Sequence, residues 1–348
     1  MNMFTKNFKQ ISKKDVGIAG GKGASLGEMT QAGINVPPGF VVLASAFERF
    51  LEETDLFAEI DSRIKKINYK DINSVDRASN EIRDLIGDAK FPEDIGKEIL
   101  TDFNKLGAKF VAVRSSATAE DSSIASWAGE LETYLNTTRK TLLDNVKQCW
   151  SSLFTPRALF YRNEKGLLKQ KVSVAVVVQK MVQSDISGIT FTVHPVIKDR
   201  NQMVIEAGYG LGEAIVSGQI TPDTCIIRKP SSVLLRVPLS GTKQSRGSLM
   251  GSPRSSREAG LARDDFQVID INISKQERMI VRNGNKGIEW KGVSKNKQEK
   301  QKLAEAQIIK LAKLCQKIEK HYNYPQDIEW AIEKGKFYIT QSRPITTL

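Results

Sequence analysis

The hydrophobic pattern of this chain passes from helical spacing into a long β-like stretch near residue 170, and that change limits the fold more than any single motif does. Across residues 139–164 apolar side chains recur at helical spacing, at Leu142, Leu143, Val146, Trp150 and Leu153. From residue 172 onward the pattern shortens into β-like runs, at 172–182, 186–193, 202–206, 223–228, 233–237, 267–272 and 278–282. Upstream, residues 40–43 read as a strand, and Ser45 with Glu48 as a capping box that starts a helix carrying Phe47, Phe50 and Leu51. Residues 55–107 read as helices joined by polar turns, and 110–113 as a short strand that delivers Arg114 at its end. Downstream, a helix over 299–321 places Ile308, Leu311, Cys315, Ile318 and Tyr322 on one stripe, and 327–333 with 336–343 form a hairpin. Helices and strands in this order predict an α+β architecture with two lobes. The break falls near 183–188, which gives lobes 1–184 and 185–348 with a subdomain at about 109–170 in the first.

Composition excludes several classes. Of 348 residues, 40% are hydrophobic and 26% charged, with both signs mixed, which describes a globular chain with a real core. The longest apolar run, 172–178, is far short of the ~20 residues that span a bilayer. The first ten residues contain no apolar h-region of a signal peptide. Cys149, Cys225 and Cys315 are far apart and lack metal spacing, so they read as reduced thiols of a cytoplasmic protein. The net charge of +12 would suit a nucleic-acid binder, but much of the excess is local. It concentrates in a Ser/Gly-rich stretch, 240–263, which reads as a mobile loop or lid, and in a second run at 291–302. No cluster of stacking aromatics supports a nucleic-acid function, whereas a polyphosphate ligand also asks for cations.

Five segments carry candidate chemistry. In Gly20-Gly21-Lys22-Gly23-Ala24-Ser25-Leu26-Gly27 the glycines allow backbone N–H groups close to phosphate oxygens, and a lysine can neutralise them. It is not a Walker A loop, because Gly23 stands where Ser or Thr would follow Gly-Lys; alone, it reads equally as an ordinary turn and helix start. Arg114-Ser115-Ser116 at a strand end aims a cation and two hydroxyls past the sheet edge, or else forms a surface ion pair. Gly129 and Thr133 lie in a segment that either folds over phosphates or makes an amphipathic turn. Gln179-Lys180-Met181-Val182 ends a strand at the lobe break, where backbone groups and apolar side chains suit an adenine edge; a plain core strand is the alternative.

The fifth segment makes the sharpest geometric statement. A three-residue loop at Lys334, Gly335 and Lys336 pairs Glu329 with Gln341 and Asp327 with Arg343. All four then share one face, and Ile328, Trp330 and Ile332 take the other. Two carboxylates, an amide oxygen and an arginine form a platform for Mg²⁺ and a triphosphate; a structural ladder of ion pairs is the alternative. A two-residue loop slips the register by one and removes the platform.

Taken in order, GGKGASLGEM, NVPPGFVV, VAVRSSATAEDS, AGELETYLN, VQKMVQSDISGITFT, GYGLGEAIVSGQITPD and PQDIEWAIEKGKFYITQSRPIT cover about residues 11–347. With these segments the chain resembles the N-terminal nucleotide-binding domain of the phosphoenolpyruvate synthase and pyruvate phosphate dikinase family. The resemblance implies an ATP-grasp fold with ATP and Mg²⁺ between the lobes. It implies Lys22 and Arg114 as phosphate-contacting cations, with Arg343 on the terminal phosphates. Gly129 and Thr133 fall in the glycine loop over the phosphates, Gln179 to Val182 form the adenine side, and Glu329 and Gln341 are the metal ligands. Glu213, within the Gly-rich 208–218 segment, is a further candidate on the nucleotide rim.

The resemblance also implies two parts beyond this segment: a swivelling domain with a phosphorylated histidine and a pyruvate-binding barrel. Neither His194 nor His321 lies in a segment like the family's phosphohistidine motif, so the acceptor histidine is expected on another domain or chain. In synthase-like chemistry that histidine takes the β,γ-diphosphate as AMP leaves. A rifampicin-type antibiotic phosphotransferase shares this domain and differs in the acceptor. A non-catalytic ATP-binding subunit is the rival from another class, and the full set of Lys22, Arg114, Glu329, Gln341 and Arg343 argues against it.

Overall fold

The computed structural model describes residues 3–118, 132–167, 173–230, 265–284 and 287–346. Gly129 and the 233–237 and 240–263 segments lie outside them. Strands β1 (Thr5–Asn7), β2 (Gly39–Val42), β3 (Val111–Ala117), β4 (Thr133–Thr137) and β5 (Val174–Lys180) form one antiparallel sheet in the order β1-β2-β5-β3-β4. Strands β6 (Ile186–Phe191), β7 (Gln202–Tyr209), β8 (Asp223–Arg228) and β9 (Gln267–Asn272) belong to a second antiparallel sheet. Its remaining strands follow a separate hairpin, β10 (Arg278–Arg282) and β11 (Ile288–Gly292); they are β12 (Gln326–Glu333) and β13 (Lys336–Pro344), in the order β13-β12-β6-β7-β8-β9. The chain is thus a mixed helix-and-sheet, α+β protein.

Alternation along each strand of the first sheet assigns its two faces. Val42, Val111, Val113, Val174, Val176 and Val178 face a layer of helices. These are α2 (Ala44–Glu53), α3 (Leu56–Lys65), α4 (Ile72–Asp88), α5 (Glu93–Leu106), α6 (Leu142–Ser151) and α7 (Pro156–Glu164), which follow α1 (Val16–Gln31) in the chain. Trp150 of α6 anchors that layer, stacked on Phe91 at 5.2 Å and tilted against Phe50 at 5.0 Å. The other face, Val41, Leu43, Ala175 and Val177, packs on α1.

That second core does not stop at the first sheet. It continues through α1 to Met203, Ile205, Cys225, Ile328, Trp330, Ile332 and Ile339 of the second sheet, and to Ile308, Leu311, Cys315 and Ile318. The last four lie on α10 (Glu305–Tyr322), which follows the short helices α8 (Glu213–Val216) and α9 (Lys295–Gln298). Helix α1 therefore sits against both sheets. Ser25 Oγ donates to the Ser342 carbonyl of β13 at 2.8 Å, and Gly23 N–H donates to Ser116 Oγ of β3 at 3.3 Å.

Several local expectations are corrected. The glycine segment is not a loop; it lies inside α1, which is kinked at Gly20 (φ 67°, ψ 171°). The kink lets α1 lie against β3, where a Cβ on Gly20 would stand 2.1 Å from Ser116 Oγ. The Ser45 capping box does not form, because α2 begins at Ala44 with Leu43 as its N-cap and no side-chain cap. Strands β1, β4 and β11 have no counterpart in the sequence reading, and α10 begins at Glu305 rather than at 299.

Candidate functional site

The terminal hairpin pairs Glu329 with Gln341 and Asp327 with Arg343, as the alternation requires, but it does so by another route. The loop has two residues, Lys334 and Gly335, both at positive φ (50° and 76°) as the tight hairpin turn demands. Near the turn Glu333 pairs with Lys336, Ile332 with Phe337 and Trp330 with Ile339, one residue off the expected register. A bulge at Thr340 then inserts one residue and restores the pairing at Gln341. The bulge also exchanges faces. Phe337 and Ile339 point into the core beside Trp330, whereas Gln341 and Arg343 share the opposite face with Glu329 and Asp327. Removal of the platform, expected of a two-residue loop, does not occur.

The ladder carries this face across the second sheet. Ile189 pairs with both Glu329 and Glu206, so Gln341, Glu329, Ile189 and Glu206 form one row. Sequence reasoning missed Glu206. Its signal was available: it is the single charged side chain within β7, between Ile205 and Ala207.

Arg114 enters from the first sheet. On β3, Val113 and Ser115 face the helical layer, so Arg114 and Ser116 face α1 and the second sheet beyond. The Arg114 guanidinium donates through Nη1 to the Thr340 carbonyl at 3.0 Å, and Nη2 lies 3.3 Å from Glu329 Oε2. The same Nη2 donates to Gln341 Oε1. One cation thus bridges both proposed metal ligands and the carbonyl of the bulged residue. Its side chain is only 11% exposed, so the contacts are made largely out of water.

The neighbouring groups converge here too. Arg343 Nε donates to Asp327 Oδ2 at 2.8 Å. Burial still holds the Asp327 carboxyl above the usual range, with Arg343 opposing and Glu329 adding to the rise. Burial likewise raises Glu213, reinforced by Glu329 and opposed by Arg114, which brings Glu213 within electrostatic reach of both. Glu206 is raised by burial and then by Asp327. Thr133 lies directly opposite Arg114 across the β3–β4 pair. Lys22 lies on α1 just beyond the kink, one residue before the Gly23 that contacts Ser116.

The adenine-side segment ends β5, as read, and two of its backbone donors are already engaged. The backbone N–H groups of Lys180 and Met181 donate to the carbonyls of Pro38 and Phe110, at 2.9 and 3.1 Å. Gln179 is buried, with its amide toward the Pro37 carbonyl at 3.5 Å. Those groups are used within the protein, and the apolar side chains remain. Met181 packs with Leu135, Leu211, Ala214, Ile220 and Ile280 in a small cluster of its own, joined by the β10–β11 hairpin. Val182 is buried beside it in sequence.

Among the described residues, no three His, Cys, Asp or Glu side chains are arranged to hold a metal ion. The donor set offered by Glu329 and Gln341 fits Mg²⁺ in a narrower way: two hard oxygens, with the remaining positions left for phosphate and water. A cavity of about 620 Å³ lies elsewhere, beside β1. Its carboxylates serve the fold, since Glu98 accepts from the backbone N–H of Phe4 and Thr5 at 2.9 and 2.8 Å.

Comparison with known proteins identifies the family of the chain. Residues 16–348 match the family model described as "Pyruvate phosphate dikinase, AMP/ATP-binding domain". A probable phosphoenolpyruvate synthase of Methanocaldococcus jannaschii is 42% identical over 97% of this chain and 26% of its own length. The phosphoenolpyruvate synthase of Pyrococcus furiosus is 40% identical over 99% of this chain and 44% of its own. A rifampicin phosphotransferase of Bacillus subtilis is 34% identical over the whole chain and 36% of its own length. The chain therefore spans less than half the length of these relatives. No helix among the described residues is long and apolar enough to cross a membrane. The chain belongs to the pyruvate phosphate dikinase AMP/ATP-binding domain family.

Proposed function

We propose that this chain binds Mg·ATP in an ATP-grasp cleft between two lobes, 1–184 and 185–348, and donates the nucleotide's phosphates to a histidine carried on another domain or chain. The observation that carries this reading is Arg114, a cation of the first sheet that meets Glu329 and Gln341 of the second. Lys22, Arg114 and Arg343 neutralise the phosphates, with Gly129 and Thr133 over them. Gln179, Lys180, Met181 and Val182 line the adenine end through their side chains, with Glu213 on the rim. Glu329 and Gln341 hold Mg²⁺, which adds charge neutralisation on the phosphates. The protein's own part is positioning and electrostatics.

The attacking histidine nitrogen forms a bond to the β-phosphorus as the α,β-bridging P–O bond breaks and AMP leaves. Inorganic phosphate is then lost by hydrolysis, and the remaining phosphoryl group passes to pyruvate, as in a pyruvate, water dikinase. Neither histidine here is set up as that acceptor. His194 Nδ1 accepts from the backbone of its own loop at 3.3 and 3.4 Å, and His321 Nε2 is 2.8 Å from Glu28. Buried free cysteines agree with a reducing, cytoplasmic setting. The Bacillus relative supports a second acceptor, rifampicin, on the same nucleotide half-reaction.

The test is Mg·ATP binding by titration calorimetry, in the wild type and in Glu329→Gln. The expected result is binding without phosphoenolpyruvate formation by this chain alone. The variant should need more Mg²⁺ and keep its affinity for the adenosine part. Pyruvate-dependent AMP release by the purified chain, or an unchanged Mg²⁺ requirement in Glu329→Gln, contradicts the reading.

A further inference from the structure

Arg114 stands where a divalent cation would have to stand. A metal held by Glu329 and Gln341 needs lone pairs on Glu329 Oε2 and Gln341 Oε1, and both atoms are within hydrogen-bond reach of the same Arg114 Nη2. Nη1 is fixed in turn by the Thr340 carbonyl, which the β13 bulge presents. An arginine does not give up its proton in a protein. A metal ion arriving alone would therefore compete for two occupied oxygens and face an intact positive charge at contact distance. The guanidinium is largely shielded from water, so solvent screens that repulsion weakly.

From this geometry we infer that Arg114 acts as the resident counter-cation of the metal site, and that metal and nucleotide consequently bind cooperatively, each tightening the other. The inference rests on the proposed nucleotide site and adds an order of events to it. Nucleotide phosphates offer the guanidinium a stronger anionic partner than Glu329. Once it turns to them, the Glu329 and Gln341 oxygens are free for the metal, and the phosphates complete the coordination. Moving Arg114 toward a ligand without supplying a second cation would leave the Glu329 carboxylate without the cation it faces at 3.3 Å. Coupling of this kind is reciprocal: the factor by which nucleotide tightens metal binding equals the factor by which metal tightens nucleotide binding.

Mn²⁺ serves as the probe, with its free concentration read by electron spin resonance, on the whole chain with and without a non-hydrolysable ATP analogue. In the wild type the analogue should tighten Mn²⁺ binding on the order of tenfold or more. Arg114→Met should tighten nucleotide-free Mn²⁺ binding on the order of tenfold and shrink the coupling by a similar factor. Arg114→Lys keeps the charge, loses the planar fork, and should tighten it less. If circular dichroism shows that the Met variant fails to fold, the Lys variant carries the test. Nucleotide-free Mn²⁺ affinity that is unchanged or weaker in the folded variants overturns the inference. Mn²⁺ binding that survives Glu329→Gln in both backgrounds overturns the site reading beneath it, whatever Arg114 does.

Discussion

Two hairpins among the described residues, β12–β13 and β10–β11, are held in place by different means. In the first, β6 pairs along the far side of β12 and Trp330 is 1% exposed, so a third strand and a core hold its register. The second has two strands only, and every residue of β11 is exposed. Its Trp290 is 39% exposed beneath the Arg278 guanidinium, 4.3 Å from the ring centre. A lone two-stranded hairpin is marginal in water, and this one is held by outside contacts. Leu211 N–H donates to the Ile280 carbonyl at 2.9 Å, and Asn136 Nδ2 donates to the carbonyls of Gly284 and Gly287 at 3.1 and 2.8 Å. The difference separates two tasks. Placing Glu329 opposite Gln341 for a metal requires tolerances of tenths of an ångström, which a three-strand ladder provides. Covering an apolar end with Ile280 requires only a strap.

The sharpest way to break the comparison is a matched pair of glycine substitutions. A Cβ on Gly188 of β6 would stand 1.8 Å from the Glu206 carbonyl oxygen and 2.5 Å from the Trp330 ring, whereas one on Gly292 of β11 meets nothing within 4 Å. Gly188→Ala should cost about 3 kcal/mol, the upper part of the overpacking range, and weaken nucleotide binding with it. Gly292→Ala should stay within about 0.5 kcal/mol of the wild type. Chemical denaturation of the two variants reads the contrast directly, and equal losses would remove the distinction between the hairpins.

A smaller effect sharpens it. Asn136→Ala removes two hydrogen bonds that tie β10–β11 to the first sheet, worth about 1 kcal/mol. Amide hydrogen exchange should speed up over 278–292 and remain unchanged over 326–344. Faster exchange in both hairpins would mean that they unfold as one unit.

The smallest effect is a pH dependence. Glu213 has its carboxyl raised in the folded state, so folding binds its proton more tightly, and its stability contribution is lost as pH rises through the folded value. Glu213→Gln should therefore raise the melting temperature of the ligand-free chain at pH 8 and do less at pH 5. A gain that is equal at both pH values would mean that Glu213 is not strained in the folded state.

What the sequence made legible follows the same division. Alternation of Asp327, Glu329, Gln341 and Arg343 against Ile328, Trp330 and Ile332 was enough to place four polar groups on one face. The route was not legible. Thr340 is a good strand residue, and nothing in its identity marks a bulge, so a two-residue loop plus a bulge looked like a three-residue loop. The glycines of 20–27 misled for a physical reason. Gly20 uses its positive φ, whereas Gly23 and Gly27 serve close approach: an added Cβ would stand 3.1 Å from Val41 and 2.4 Å from the Ile11 carbonyl oxygen. Close packing between a helix and its neighbours and a phosphate-binding loop require the same residue type. Short edge elements such as β1 and β11 carry too few residues for a period to show. The lone charge of Glu206 within β7 was legible, but its place in one row with Ile189 and Glu329 was not, because only the sheet order brings these distant residues together.

The most direct test of the central claim is a crystal structure of this chain with Mg²⁺ and a non-hydrolysable ATP analogue. The expected result has phosphate oxygens in contact with Arg114, Arg343 and Lys22, and the metal about 2.1 Å from one oxygen each of Glu329 and Gln341. The Arg114–Glu329 contact, 3.3 Å in this structure, should be broken. A nucleotide found instead in the cavity beside β1, or bound with Arg114 still on Glu329 and Gln341, would contradict the account.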